Sequence, residues 1–525
     1  MFNNKTYFFL LITFFISVNS YSQEQGLNSI VQADLQRHLA FISSDSLQGR
    51  HFGTAIPGLQ IAADYIRKNI QKDGLKPGLE NYFQSVPILS VKSDSENTFL
   101  KIMDKTGRTI SKTGDVVRLD KGTIYEDISG EVIFAGFGWQ DTLRGYDDFK
   151  GLDFKGKIVF YVQGTPEMLS KIKVQRWNNR IESAKIENVF KAGAKAVIVV
   201  TSPNDVRDQT FNQIKRWSGR QQYSLEATES SDEQKPVFIT SPRTMEAMFG
   251  NHSKLKKVLI HLKQRDKNYS CLKENFMVDI QVSRILKPME GINVVGIVEG
   301  SDPVLKKECV VYMAHYDHLG IGKNGDVYNG ADDNGSGTVA LLELAEAFQS
   351  LEVKPKRSVL FLWVTSEEIG LFGSRYYVNH PVYPIEKTEA CINIDMVGRV
   401  YEPRDSVWKN SPKQVKNYDG LYTLASNFCP QMLEISDSIC ASLDLVPDKS
   451  LPVRFIRSSD QYNFHKKGIP ILNVSTGYHA DYHKVTDEIS KIDFTKLKRV
   501  TDFCFLLGYE IANRKEPLEK MLSDK

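Results

Sequence analysis

From about residue 285 onward, apolar residues come in unbroken runs of strand length: GINVVGIVEG, ECVVYMAHYDH, RSVLFLWVTSEE, EACINIDMVG and GIPILNVSTG. Between the runs lie longer stretches with helical spacing, such as TVALLELAEAFQSL, where Leu341, Leu344, Ala345 and Phe348 share one face. A strand that is apolar at every position is one buried on both sides, so this half predicts an α/β fold, a mixed, mostly parallel sheet flanked by helices. Residues from about 95 to 270 have a different texture. Short alternating segments, GEVIFAGFG at 130–138 and GKIVFYVQG at 156–164, are split by turn residues and predict the strands of a small β-rich module. Within it, KIENVFKAGAKAVIVVTSP at 185–203 predicts a helix running through a glycine turn into a buried strand. Ahead of the module, ADLQRHLAFISSDSLQGRHFGT and GLQIAADYIRKNIQKDGLKP predict two helices, the second with Ile61, Tyr65 and Ile66 inward and DGLKP as its stop.

The first residues have a further pattern. Lys5 precedes YFFLLITFFISV at 7–18, an apolar core too short for a membrane span, and NSYSQ then offers cleavage after Ser20 or Ser22. This predicts a signal peptide over 1–22, a periplasmic or secreted product, and no membrane span once the leader is removed. No cysteine follows the apolar core, which excludes a bacterial-type lipid anchor there. A net charge of +3, from 67 basic and 64 acidic residues, is too small and too evenly mixed to point to nucleic acid or an anionic membrane. The six cysteines, at 271, 309, 391, 429, 440 and 504, contain no CxxC pair and form no disulfide framework. One bridge, Cys429 to Cys440, stays open, with buried thiols as the alternative.

Candidate chemistry sits where the apolar runs end. His315 and Asp317 close VVYMAHYDH, Glu367 and Glu368 close VLFLWVTSEE, and Asp395 closes CINID. ILNVS is followed by TGYHADYHKVTDE, with His479, Asp481 and His483. In open α/β sheets, ligands bind beyond the carboxyl ends of the strands. Carboxylates and imidazoles converging there are costly unless a cation compensates them. Histidine mixed with several carboxylates and no cysteine suits zinc, manganese or cobalt, and the carboxylates are too many for one tetrahedral zinc. Two metals bridged by one carboxylate would use them all.

At this point the motifs AHYDH, NGADDNGSG, TSEEIGLFGS, NIDMVGR and DYHKVTDE, in that order, resemble the co-catalytic di-zinc aminopeptidases of metallopeptidase family M28, over roughly residues 30–90 and 280–515. FKGKIVFYVQG and KAGAKAVIVV resemble the protease-associated (PA) domain that many members carry as an insert. The resemblance implies a zinc exopeptidase fold of the phosphorylase/hydrolase-like type, divided as signal peptide 1–22, catalytic part 23–94, PA-like insert 95–270 and main catalytic part 271–525. It implies two Zn2+ ions, with Mn2+ or Co2+ as substitutes. His315 and Asp395 would hold one, Glu368 and His483 the other, and Asp333 would bridge them. Glu367 is implied as the general base for a metal-bridged hydroxide, and Tyr482 as the phenol that stabilises the oxyanion. In an extended EE segment the two side chains point to opposite sides, which separates the base from the ligand. Asp317 is placed to accept the other N–H of His315, and Asp487 to do so for His483. Asp332 is left to the loop, the peptide after Asp333 is expected to be cis, and a helix is expected to begin near Ser336.

His318, His465 and His479 are the competing imidazoles, read as surface or pocket residues. SSDQYNF at 458–464 is read as pocket lining or a plain turn, and the basic stretch 171–180 as a solvated helix face. The function expected is hydrolysis of N-terminal peptide bonds. Rivals are a carboxypeptidase of the same superfamily, for which Arg375, Arg399, Arg454 and Arg457 are available to hold a carboxylate, a glutaminyl cyclase with one zinc, and an inactive receptor-like protein that has lost ligands.

Overall fold

The computed structural model describes residues 21–119, 125–165 apart from 142 and 144, 179–201, 209–225, 235–260 apart from 252, 256 and 259, 276–400, and 418–519 apart from 452. The leader up to residue 20, Cys271 and the basic stretch as far as 178 lie outside these residues. By internal contacts the chain divides into two compact units, Met1–Ile88 with Glu290–Lys525, and Leu89–Met289.

In the first unit the sheet that carries the site includes β1 (Lys76–Pro77), β2 (Met277–Val298, through its second half), β3 (Cys309–His315), β4 (Ser358–Val364), β5 (Thr388–Ile394), β6 (Gly420–Ala425), β7 (Val446–Asp448) and β8 (Ile471–Ser475). Their order across the sheet is β1-β2-β4-β3-β5-β8-β6-β7. The inner pairs β4/β3, β3/β5 and β5/β8 are parallel, so four strands present their carboxyl ends at one edge. Burial explains why these strands read as unbroken apolar runs. Along β3, Val310, Tyr312 and Ala314 enter one core and Cys309, Val311 and Met313 enter the core on the other face. Helices α1 (Gln32–Ile42), α2 (Gly58–Lys72), α3 (Gly337–Ser350), α5 (Pro430–Ser442) and α7 (Phe494–Asn513) contribute to the first core. α4 (Phe372–Asn379) and α6 (Gln461–Lys466) contribute Tyr377, Val378 and Phe464 to the second.

The expected helix over 33–54 stops early. α1 ends at Ile42, and the backbone turns through left-handed conformations at Gln48, Gly49 and Arg50 (φ 46°, 68° and 46°). Cys429 and Cys440 are both buried free thiols, so the bridge left open for them is not formed.

The second unit is built mainly of strands. Ile158–Val162 lies parallel to Tyr125–Phe134 on one side and to Ala196–Val200 on the other. Ala196–Val200 pairs in turn with Val237–Thr240, which runs antiparallel to Val116–Arg118. Helix Asn179–Lys191 leads through Gly193 (φ +100°) into the wholly buried Ala196–Val200. No described helix is long and apolar enough to cross a membrane.

Candidate functional site

β3 ends on His315, β4 is followed by Glu367 and Glu368, β5 by Asp395, and β8 by the loop that carries His479 and His483. The shared strand direction brings all of them to one sheet edge. His315 Nε2 lies 3.4 Å from Asp333 Oδ1 and 3.6 Å from Asp395 Oδ1. His483 Nε2 lies 3.1 Å from Asp333 Oδ2 and 3.2 Å from Glu368 Oε2. Asp333 therefore stands between two groups of donors, one oxygen towards each. The side chain of His483 is 30% exposed against 2% for His315, so the site opens to solvent on the His483 side. There the Tyr482 ring stacks on His483 with centroids 3.8 Å apart.

The charges around these donors suit a divalent cation. Burial alone would depress His315, but Glu367, Asp333 and Asp395 outweigh it and raise its pKa. Burial likewise lowers His483, and Asp333 and Glu368 override it to about 10. Burial and Asp333 push Glu368 up, while His318 and His483 hold it near 2. Glu367 moves the other way, raised by burial and by the neighbouring Glu368, Asp460 and Asp395. Asp395 Oδ1 and Asp333 Oδ2 are buried without a hydrogen-bond partner. Buried oxygens without a hydrogen-bond partner, close to imidazole nitrogens, are a donor set that a divalent metal would satisfy.

Several expected details are placed differently. Glu367 and Glu368 do not lie in an extended segment. Ser366 has a left-handed φ of 63°, and the N–H groups of Gly370 and Leu371 both bond to the Glu367 carbonyl at 3.0 Å, so the pair sits in a turn. The Asp317 carboxylate accepts from the backbone N–H of Glu367 (3.1 Å) and Glu368 (3.3 Å), not from His315. His315 Nδ1 instead faces the Asp317 carbonyl at 3.2 Å, with the carboxylate 3.8 Å away. Asp487 accepts from the amides of Asp332 (3.1 Å) and Asp333 (3.0 Å), which occupies it beneath the loop and not on His483. Two details are as expected: the Asp333–Asn334 peptide is cis, and α3 begins at Gly337, next to Ser336.

Residues 293–507 match the model of Peptidase family M28. The chain is 28% identical over 232 residues to aminopeptidase YwaD of Bacillus subtilis (strain 168), covering 43% of this chain and 45% of that protein. It is 29% identical over 217 residues to leupeptin-inactivating enzyme 1 of Streptomyces exfoliatus, covering 40% and 46%. The chain thus spans less than half the length of these curated relatives. An aminopeptidase from Aneurinibacillus sp. strain AM-1 shares the fold over 95% of this chain and 98% of its own, with a TM-score of 0.50 at 19% identity.

His318, Asp332 and His479 carry more of the site than their motifs disclose. His318 is fully buried, and its Nδ1 lies 2.8 Å from Glu368 Oε1 and 3.9 Å from Asp333 Oδ2, so it forms a second three-donor group with them beside His315, Asp333 and Asp395. Asp332 is no idle loop residue: Oδ2 meets His479 Nε2 at 3.2 Å and Oδ1 accepts the Gly398 N–H at 2.7 Å. His479, buried, in turn faces Arg399 Nη1 through Nδ1 at 3.3 Å. The only sequence sign of this cross-link is that DD and HxxxH each hold one polar residue too many. SSD leads into α6, which QYNF opens, and the buried Asp460 accepts from Ser374 Oγ at 2.5 Å, with burial pushing its pKa up to about 7. His465 lies apart, 2.9 Å from Ser426 Oγ and stacked on Phe428.

Proposed function

We propose that the protein is an exported zinc aminopeptidase. The observation that carries the reading is the pair of donor groups sharing Asp333 at one sheet edge. His315 and Asp395 would hold one metal ion, Glu368 and His483 the other, with Asp333 common to both. Zinc is the metal favoured by this donor chemistry, with manganese or cobalt as substitutes. When bound, the pair supplies Lewis-acid activation of water and of the scissile carbonyl. The chain's own residues do the rest. Glu367, whose carboxyl lies among other acidic groups, takes the proton of the attacking water and returns it to the leaving amine. Tyr482, on the exposed side, donates its phenol proton to the developing oxyanion, an interaction worth a few kcal/mol.

The peptide's free amino terminus would enter past His483 and Tyr482. Of the arginines considered for a carboxypeptidase, Arg399 is engaged by Asp481 (3.1 Å) and His479. Export rests on the pattern of the first 22 residues. The Leu89–Met289 unit is read as a PA-like insert.

Chelation is expected to abolish cleavage of an amino-terminal chromogenic amide, and zinc to restore it. Activity indifferent to chelators would refute the metal centre, and equal rates on free and amino-blocked peptides would refute the polarity. Glu367→Gln is expected to keep its metal content, read by elemental analysis, and to lose at least a hundredfold in kcat.

A further inference from the structure

Arg50 lies outside the M28 match, in the turn after α1, and it is fully buried. A Cβ on Gly49 would come within 2.4 Å of the Gly320 carbonyl and 2.6 Å of the Tyr328 carbonyl, so glycine is what lets this turn press against the site. The backbone is fastened on both sides: His318 N–H bonds to the Arg50 carbonyl (3.1 Å) and Gly320 N–H to that of Gly49 (3.0 Å).

The guanidinium then reaches three segments at once. Nε donates to the Tyr316 carbonyl at 2.8 Å. Nη1 donates to the carbonyls of Ile42 and Asn329, each at 2.6 Å, and Nη2 to that of Gly330 at 3.0 Å. Tyr316 sits between His315 and Asp317, while Asn329 and Gly330 lead into Asp332 and Asp333. Among the described residues no carboxylate lies within ion-pair distance of Arg50, although its charge is felt by Asp333, Asp317, Asp487 and Glu368. A buried cation spent wholly on carbonyl groups is there for geometry, and only a planar fork of donors has the reach.

We propose that Arg50 is a positioning residue for the metal centre: it locks the strand end at 315–317 to the loop at 329–333, and so sets the spacing of His315 and Asp333 before any metal arrives. This rests on the proposed metal centre. Two effects of the side chain oppose each other, which makes the idea testable. As a charge, Arg50 repels an incoming cation. As a strut, it holds the ligands ready. Arg50→Lys keeps the charge and loses the fork, whereas Arg50→Gln loses the charge as well.

The test is a Zn2+ titration of the full chain against a competing chelator, with melting temperatures of the metal-free proteins alongside. Both variants are expected to weaken Zn2+ binding tenfold or more, in the range known for groups that orient metal ligands. Arg357→Lys is the control, because Arg357 is equally buried but bonds to Glu308 and the Arg514 carbonyl, beside the first residue of β4. It is expected to lower the melting temperature and leave Zn2+ affinity within twofold. Wild-type affinity in Arg50→Lys, or tighter binding in Arg50→Gln, would overturn the strut. Hydrogen exchange on the metal-free wild type provides a measure that needs no variant to fold. The amides of Tyr316, His318 and Asp333 should already be protected, and loops that exchange freely until zinc is added would overturn preorganisation. A wild type that binds no zinc would sink the metallopeptidase reading, and the exchange result would still judge the strut.

Discussion

Two adjacent aspartates do different work in the loop NGADDNGSG. Asp333 turns its oxygens to His315 and His483, while Asp332 turns away to His479 and the Gly398 amide, joining the loops that follow β5 and β8. Asp487 fastens both of their amides from below. The two aspartates should therefore fail differently when neutralised. Asp332→Asn keeps an acceptor for Gly398 and removes the charge opposite His479, so it is expected to retain metal while losing about 1–3 kcal/mol of stability in urea. Asp333→Asn is expected to lose zinc with little change in the stability of the metal-free protein. If metal analysis and urea titration showed the reverse, the division of labour between the two residues would be wrong.

The elements beneath the site carry a titration of their own. Glu343 of α3 is buried against α1, where it accepts the Val31 N–H at 3.1 Å and has His38 Nε2 3.7 Å away. Burial, with Glu346 and Asp34 nearby, pushes its pKa up to about 8, and burial and Arg37 pull His38 down to about 4. A raised carboxyl contributes stability that is fully present below its ordinary value near 4.5 and is lost as pH rises through 8. The depressed imidazole acts in the other direction: its contribution is present above 6.5 and is lost as pH falls towards 4. Glu343→Gln should match the wild type near pH 5 and exceed it by an amount that grows to about 1–3 kcal/mol at pH 9. A difference that stays flat across that range, by thermal unfolding in buffers of equal ionic strength, would remove Glu343 as its source. The same elements show what the sequence discloses. β3, β4, β5 and β8 were legible because both their faces are buried, and so were the ionisable residues that end them. α1 was read too long because Leu47 keeps the helical spacing past Ile42 while the turn at 48–50 is set by contacts with residues about 270 positions away, such as Tyr316 and Gly320. The EE turn has no sequence signal for a similar reason: Ser366 adopts a left-handed conformation with no glycine to announce it. The sequence pattern matches Asp317 and Asp487 to imidazoles, whereas their carboxylates accept from backbone amides, which no side-chain motif records.

At the scale of the whole chain, each of the two units has its own buried cores, one set built around Val310, Phe361 and Ile392 on one face and Val311 and Leu362 on the other, the second around Phe160, Ile198 and Phe238. Every proposed metal ligand belongs to the unit Met1–Ile88 with Glu290–Lys525. A ligand that binds only the folded form stabilises the unit that holds its site, by about 2.7 kcal/mol at a free concentration a hundred times its Kd. Calorimetry of the full chain is therefore expected to show two transitions, one that rises with added zinc and one that does not move. Substituting Asp333→Asn should flatten the first response and leave the second untouched. A single transition that shifts as a whole with zinc would mean that the units unfold together, and it would show that metal binding at one sheet edge stabilises the Leu89–Met289 unit as well.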